Sequence, residues 1–377
     1  MGPLVKLLAD LIAIPSVNPA LLPPGDPHVG EERVTAFLES RARAAGLDCQ
    51  RSTILPGRDN LFVRLKPART PRRTILLAPH LDTVGGLDVP GNLFTPVVNG
   101  GRLYGRGACD TKGSVAAMFS ALLAVARDQP PAETEIVFVG LVDEESGQLG
   151  SRKLAGNGFK ADLAIVGEPT RLKVITAHKG VLWLRMTTTG RAAHGARPEL
   201  GRNAVHAMAK IVDLLETRYA AGLRRKQHPV LGRGTINVGS ISGGTQPNIV
   251  PSRCVISIDR RTLPGERDEA IYKDLRALLK SKGLKAEFDS LQGGPCMPLE
   301  TSPRLPLVAQ FMSVAGQRKP AGVDYFSDGA VLASGGIPSV LFGPGDIAQA
   351  HTPDEWISIE SLEEAERLLI RFLRSLP

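Results

Sequence analysis

The chain has 377 residues, 42% apolar and 22% charged, with no low-complexity tract, which suits a globular enzyme of two domains. Its formal charge is +8, yet the longest basic run is Arg224-Arg225-Lys226 and aromatics are 5%, so nothing marks a nucleic-acid binder. No apolar run reaches the length of a membrane span, and the short apolar stretch after Lys6, broken by Asp10 and Pro15, makes a poor signal peptide; a cytoplasmic protein is the expectation.

Residues 4–14 carry apolar side chains at helical spacing (Leu4, Leu7, Leu8, Leu11, Ile12) and stop at Pro15; residues 29–45 read as a second helix ending near Gly46. Four short apolar runs follow, at 74–78, 136–142, 163–166 and 339–342, each ending in polar or glycine-rich residues. With helical patterns between several of them, notably 114–126, they predict an α/β domain with a mainly parallel sheet and helices on both faces. In such sheets ligands bind outside the carboxyl ends of the strands, where the strong metal-ligand types cluster here. Between about Gly180 and Gly293 the pattern changes. Strands at 181–189, 235–242 and 254–260 and helices at 203–217 and 266–282 suit the β-α-β-β-α-β order of an inserted ferredoxin-like α+β domain. A helix at 362–376 closes the chain. The expected division is a discontinuous metal-binding catalytic domain, 1–179 with 293–377, and a second domain at 180–292. Cys49, Cys109, Cys254 and Cys296 are scattered without a C-x-x-C pair and read as buried thiols.

Five segments carry chemistry. In His80-Leu81-Asp82 the imidazole can bind a divalent metal while the carboxylate orients the ring, although a strand-end histidine satisfied by a turn aspartate has the same pattern. The glycine-rich loop from Gly105 to Gly113 lacks P-loop spacing and has Asp110 at its centre, where a carboxylate can bridge two cations. Asp143-Glu144-Glu145 places three acids after a buried strand, and they repel one another unless cations neutralise them. Neighbours alternate sides in extended chain, so one of Glu144 and Glu145 can bind metal while the other faces substrate. Glu168 in Gly167-Glu168-Pro169-Thr170 and His351 in Ala350-His351-Thr352-Pro353-Asp354-Glu355 complete the set. Taken singly, none decides.

Together, the order HxD, GRGxxDxKG, DEE, GEPT and AHTPDEW resembles the acetylornithine deacetylase, succinyl-diaminopimelate desuccinylase, aminoacylase and carboxypeptidase G family of dinuclear zinc metallopeptidases, from Leu11 to Trp356. The resemblance implies that Asp110 bridges two metals, that His80 and Glu168 complete one, and that Glu145 and His351 complete the other. It implies that Asp82 orients His80 and that Glu144 is the general base acting on a metal-bridging water. Imidazoles and carboxylates without a thiolate suit two zinc ions, with cobalt or manganese as alternatives. Cys109 is expected to point away, and the Asp110-Thr111 peptide to be cis. In the inserted domain, His194 is expected to assist the oxyanion, and Asn248 with an arginine to hold a substrate carboxylate. Strand faces alternate, so one of Arg260 and Arg261 faces substrate, and Arg261 is the choice. The implied reaction is hydrolysis of the amide bond of an N-acyl amino acid, acetylornithine deacetylase-like. The alternatives are a succinyl-diaminopimelate desuccinylase, or a dipeptidase or carboxypeptidase acting on short peptides. A non-enzymatic scaffold is disfavoured, because a binding module needs no general base. The family further implies a lid and dimerisation role for 180–292 and a homodimer in which His194 serves the partner's cleft, while the charge pattern and short apolar runs lead us to expect no nucleic-acid or membrane partner.

Overall fold

The apolar runs form the centre of the first of two units in the computed structural model, which describes residues 1–86, 93–128 and 130–377. That unit comprises Met1–Thr176, Thr301–Ala321 and Ser327–Pro377. Its sheet runs in the order Asp48–Leu55, Arg58–Leu65, Thr134–Gly140, Arg73–Pro79, Leu163–Gly167, Ser339–Phe342. The four strands from Thr134–Gly140 to Ser339–Phe342 are mutually parallel. Side chains alternate faces along each strand. Ile75, Leu77, Ile136, Phe138, Ile165 and Val340 join the helices Pro3–Ile12, Lys112–Asp128 and Ile359–Arg374 in one apolar core. Leu76, Val137, Val139, Val166 and Leu341 point the other way and are also buried. On that side the helices Leu149–Gly156 and Asp328–Ser334 pack on each other, and the second of them packs on the sheet. Both faces are covered, as continuous apolar strands require.

Ile359–Arg374 shows how the local sequence sets an element. Ser358 caps its start by accepting from the Ser361 amide at 3.2 Å. Glu360 lies in its first turn and Arg371 and Arg374 in its last, each complementing the helix dipole. Leu362, Ala365, Leu368, Leu369, Phe372 and Leu373 form the buried stripe. Phe372 packs against Phe311 with ring centroids 4.6 Å apart, and truncating it to alanine costs roughly 3–5 kcal/mol.

The antiparallel hairpin Asp48–Leu55 and Arg58–Leu65 was not among the expected strands. Its outer strand alternates only between exposed and half-buried, and so carries no apolar run.

The second unit comprises Ala177–Glu300 and Gly322–Phe326. Its antiparallel sheet has the order Thr235–Gly243, Arg253–Thr262, Gly180–Thr189, Glu287–Ser290. One face packs Leu182, Leu184, Met186, Ile256 and Ile258 against Met208 and Ile211 of the helix Ala204–Leu214 and Ile271 and Leu275 of the helix Asp268–Lys280. The strand Glu287–Ser290 completes the β-α-β-β-α-β order; short and mostly exposed, it left no apolar trace in the sequence. Thr235–Gly243 is an outer strand with a largely exposed surface.

Among the described residues no helix is long and apolar enough to cross a membrane. The cysteines form no disulfide; Cys109 and Cys254 are buried, but Cys49 and Cys296 are only half-buried, correcting the expectation of four buried thiols.

Candidate active site

The four parallel strands deliver their carboxyl ends to one edge of the sheet, and the loops leaving three of them carry the acids and imidazoles singled out above. His80 follows Arg73–Pro79, Asp143-Glu144-Glu145 follow Thr134–Gly140, and Glu168 follows Leu163–Gly167. Asp110 precedes the helix Lys112–Asp128. The Asp110-Thr111 peptide is cis.

Asp110 occupies the middle. Its Oδ1 lies 3.2 Å from His80 Nε2 and its Oδ2 lies 3.3 Å from His351 Nε2. His351 Nε2 is also 3.3 Å from Glu145 Oε2. Ligand atoms of His80, Asp110 and Glu145 all fall within 4.8 Å of one another. Glu168 is buried, and desolvation followed by the field of Asp110 pushes its carboxyl well above the usual range. One oxygen each of Glu145 and Glu168, both buried, has no hydrogen-bond partner.

His80 Nδ1 lies 2.9 Å from the Asp82 main-chain carbonyl and 3.5 Å from its carboxylate. It is therefore the Asp82 carbonyl that takes the closer ring contact, while the carboxylate turns to the acid loop. Asp82 Oδ1 accepts from the Glu144 amide at 3.1 Å, and Oδ2 accepts from the Glu145 amide at 3.0 Å. Asn18 Nδ2 donates to the same Asp82 Oδ2 at 2.7 Å and to Asp143 Oδ1 at 3.1 Å. Arg58 holds Asp143 Oδ1 at 2.9 Å and binds the buried Glu31. Asp143 itself adopts φ 72°, a left-handed conformation that aspartate tolerates better than most residues and that this network secures.

With Nδ1–H given to the carbonyl, His80 Nε2 turns a lone pair towards an Asp110 carboxylate oxygen. Two acceptors at 3.2 Å require a positive charge between or beside them, a proton or a metal ion. Contact with Asp110 and Glu145 raises His351 to about 10, and contact with Asp110 and Asp82 outweighs burial to raise His80. Burial lifts Glu145 to about 6, and burial together with Glu168, Asp328 and Glu145 lifts Glu144 well above the carboxylate range. The cluster is short of cations. Two imidazole nitrogens, the bridging Asp110 and the orphaned oxygens of Glu145 and Glu168 form an N/O donor set that fits two divalent ions of the zinc, cobalt or manganese kind.

Several contributors lie in or beside the motifs, yet nothing in the sequence assigned them a part in holding the site. Glu355 accepts from the amides of Cys109 (2.8 Å) and Asp110 (2.9 Å) through Oε1, and from Gly107 N and Arg106 Nη1, each at 2.9 Å, through Oε2. The glycine-rich loop thus does cradle an anion, supplied by the chain itself. Gly107 sits at φ +84°, where an added Cβ would meet the Lys112 side chain at 2.9 Å. The Cys109 thiol donates to the Asp346 carbonyl at 3.2 Å, and burial pushes its pKa up, so it stays protonated. Asp328, buried and pushed up to about 6 by desolvation, accepts from Ser151 Oγ at 2.5 Å.

In the second unit, His194 is exposed and its Nδ1 accepts from the Ala196 amide at 3.1 Å, which leaves Nε2–H as a donor. The Asn248 segment lies alongside: its carbonyl accepts from Gly195 N at 2.7 Å, and His194 bridges Ile249. Arg260 is buried and ion-paired to Glu266 at 2.8 Å. Arg261 lies on the other face, and its fork is held by Asp259 at 2.9 and 3.0 Å.

The sequence model of peptidase family M20/M25/M40 matches residues 76–375. Acetylornithine deacetylase of Vibrio cholerae serotype O1 is 30% identical over 356 residues, 92% of either chain. A probable carboxypeptidase of Aspergillus clavatus is 29% identical over 386 residues, 97% of this chain and 86% of its own. Among solved structures, aminopeptidase PepT of Bacillus cereus shares the fold with a TM-score of 0.78 at 23% identity, covering 98% of this chain and 97% of the other.

Proposed function

Because this chain belongs to peptidase family M20/M25/M40 and is a metal-dependent hydrolase, we propose that it cleaves the amide bond of an N-acyl amino acid in the manner of acetylornithine deacetylase. The observation that carries the reading is the Asp110 carboxylate set between two imidazole nitrogens at 3.2 and 3.3 Å, beside buried carboxylate oxygens that lack partners.

In this reading His80, Asp110 and Glu168 hold one divalent ion, and Asp110, Glu145 and His351 hold the other, with zinc the first choice. Bound there, the ions lower the pKa of water and polarise the amide carbonyl. Glu144 accepts the proton of the attacking water as the new C–O bond forms. It then hands that proton to the amine nitrogen as the C–N bond breaks, so one carboxylate is base and then acid. Asp82 keeps Glu144 and Glu145 in place through their amides. His194, with Nε2–H available, donates to the oxyanion from a partner subunit joined through residues 180–292. Asn248 and Arg261 hold the substrate carboxylate, the latter by exchanging its internal partner Asp259. The similarity to a probable carboxypeptidase over 97% of the chain supports a second reading, cleavage of a short peptide at its C-terminus.

The test is a hydrolysis screen of N-acetyl amino acids, N-succinyl amino acids and dipeptides, using protein reconstituted with zinc, cobalt or manganese and an Asp110→Asn control. Turnover of N-acetyl amino acids, absent in the control, is the expected result. Protein with two ions bound that hydrolyses only dipeptides moves the assignment to the second reading.

A further inference from the structure

We propose that Glu355 is a positioning residue for the metal pair: with Arg106 it locks the segment carrying Asp110 to the segment carrying His351, and so sets the affinity of the ion these two share with Glu145. The inference rests on the metal-site reading above. Glu355 is 2% exposed, and its two oxygens accept four hydrogen bonds of 2.8–2.9 Å, three of them from the amides of Gly107, Cys109 and Asp110. Arg106, equally buried, supplies the fourth. Its Nη1 also reaches the carbonyl of Thr352, the residue after His351, at 3.2 Å, and its Nε reaches the Gly85 carbonyl at 3.0 Å. The 351–355 turn is therefore pinned to the 106–110 loop near both of its ends.

His351 needs that tether. Its side chain is 53% exposed, its backbone is at φ 61°, and its imidazole contacts Asp110 and Glu145, two acids that share the same proposed ion. Packing does little to place the ring, so its position follows the turn. Metal–ligand distances tolerate errors of about 0.2 Å, and loss of a group orienting a ligand weakens metal binding roughly 10- to 100-fold. Asp110 is anchored through its own amide to the same carboxylate, so a single group sets the spacing of two ligands.

Glu355→Gln is the sharp perturbation because it conserves shape. Whichever way the new amide turns, its NH2 faces two donors, either the Cys109 and Asp110 amides or Gly107 N and Arg106 Nη1. Metal-free wild type, Glu355→Gln, His351→Ala and Asp110→Asn are titrated with zinc against a chromophoric chelator, alongside circular dichroism and urea unfolding. His351→Ala identifies which of the two binding steps belongs to its ion. Glu355→Gln is expected to weaken that step roughly 10- to 100-fold, to leave the other step within about threefold, and to regain kcat at saturating zinc with KM unchanged. Wild-type affinity at both steps, or equal weakening of both, overturns the proposal, the second because it marks a general lesion. If Glu355→Gln does not fold, Arg106→Lys removes the Thr352 tether and must weaken the same step; if it does not, the proposal falls. Asp110→Asn separates the premises. If it leaves both ions bound, the metal-site reading fails; if it strips them while Glu355→Gln does not, only the role of Glu355 fails.

Discussion

Asn18→Asp replaces one buried atom and should turn a silent amide into a pH-dependent fault. Asn18 is fully buried; its Oδ1 accepts from the Ala20 amide, and its Nδ2 donates to Asp82 Oδ2 at 2.7 Å and Asp143 Oδ1 at 3.1 Å. The substitution sets a third carboxylate oxygen against two others. At an effective dielectric near 20, charge centres about 4 Å apart repel by roughly 4 kcal/mol per pair, hence about 8 kcal/mol for two pairs, less what Arg58 offsets at Asp143. Protonating the introduced carboxyl at pH 7 costs only about 4 kcal/mol, from three pH units above an ordinary aspartate pKa of about 3.9. Protonation is the cheaper route, and the resulting O–H donates to Asp82 as the amide did. The introduced group thus has a folded-state pKa raised above its unfolded value. The folded state then binds more protons between the two pKa values, and stability falls as pH rises through that window. Urea unfolding of metal-free wild type and variant from pH 4.5 to 7.5 should give a stability gap of about 4 kcal/mol at pH 7, shrinking by about 1.4 kcal/mol per unit towards pH 4. A gap that is constant with pH, or below about 1 kcal/mol at pH 7, refutes the reasoning.

Glu144→Gln should lower kcat by at least roughly 100-fold while zinc content, measured by elemental analysis, stays at the wild-type level; retention of most turnover removes Glu144 as general base. Lys112 is buried with Nζ on the Leu11 and Ile14 carbonyls at 2.9 and 2.6 Å, and burial pushes it down from 10.5 to about 7. The unfolded chain binds the extra proton between those values, so wild-type stability should gain up to about 5 kcal/mol from pH 7 to 10.5 relative to Lys112→Met, read by urea unfolding of both; parallel curves refute it. Mixing inactive His194→Ala and Glu144→Ala under conditions that exchange subunits should restore activity, because one site of each mixed dimer then has both groups; proven exchange without recovery excludes action across the dimer.

The residues of the candidate site were legible where the chemistry is local. In a parallel sheet every strand points the same way, so a polar cluster after each apolar run lands on one edge, and His80, Glu145 and Glu168 could be placed there from strand position alone. Asp110 and His351 do not follow such runs, and the order of motifs picked them out. The hairpin at Asp48–Leu65 and the strand Glu287–Ser290 escaped, because edge strands with exposed or mixed faces lack the apolar signature of a covered strand. Strand alternation correctly separated Arg260 from Arg261, yet it gave no hint that Asp259, on the same face, already occupies the Arg261 fork.

Local sequence sets which side chains of the covered strands alternate into the two cores and which ligand types follow those strands, since each depends on neighbours a few positions away. Which atom meets which depends on the fold as a whole: the Asp82 carbonyl rather than its carboxylate nearest His80, Asn18 bridging two acids from 64 and 125 residues away, and Glu355 in the amide cradle of a loop 245 residues earlier. Periodicity records only that a face is buried. A hydrogen bond needs two particular atoms within about 3 Å at the right angle, and over such separations that is set by the path of the whole chain.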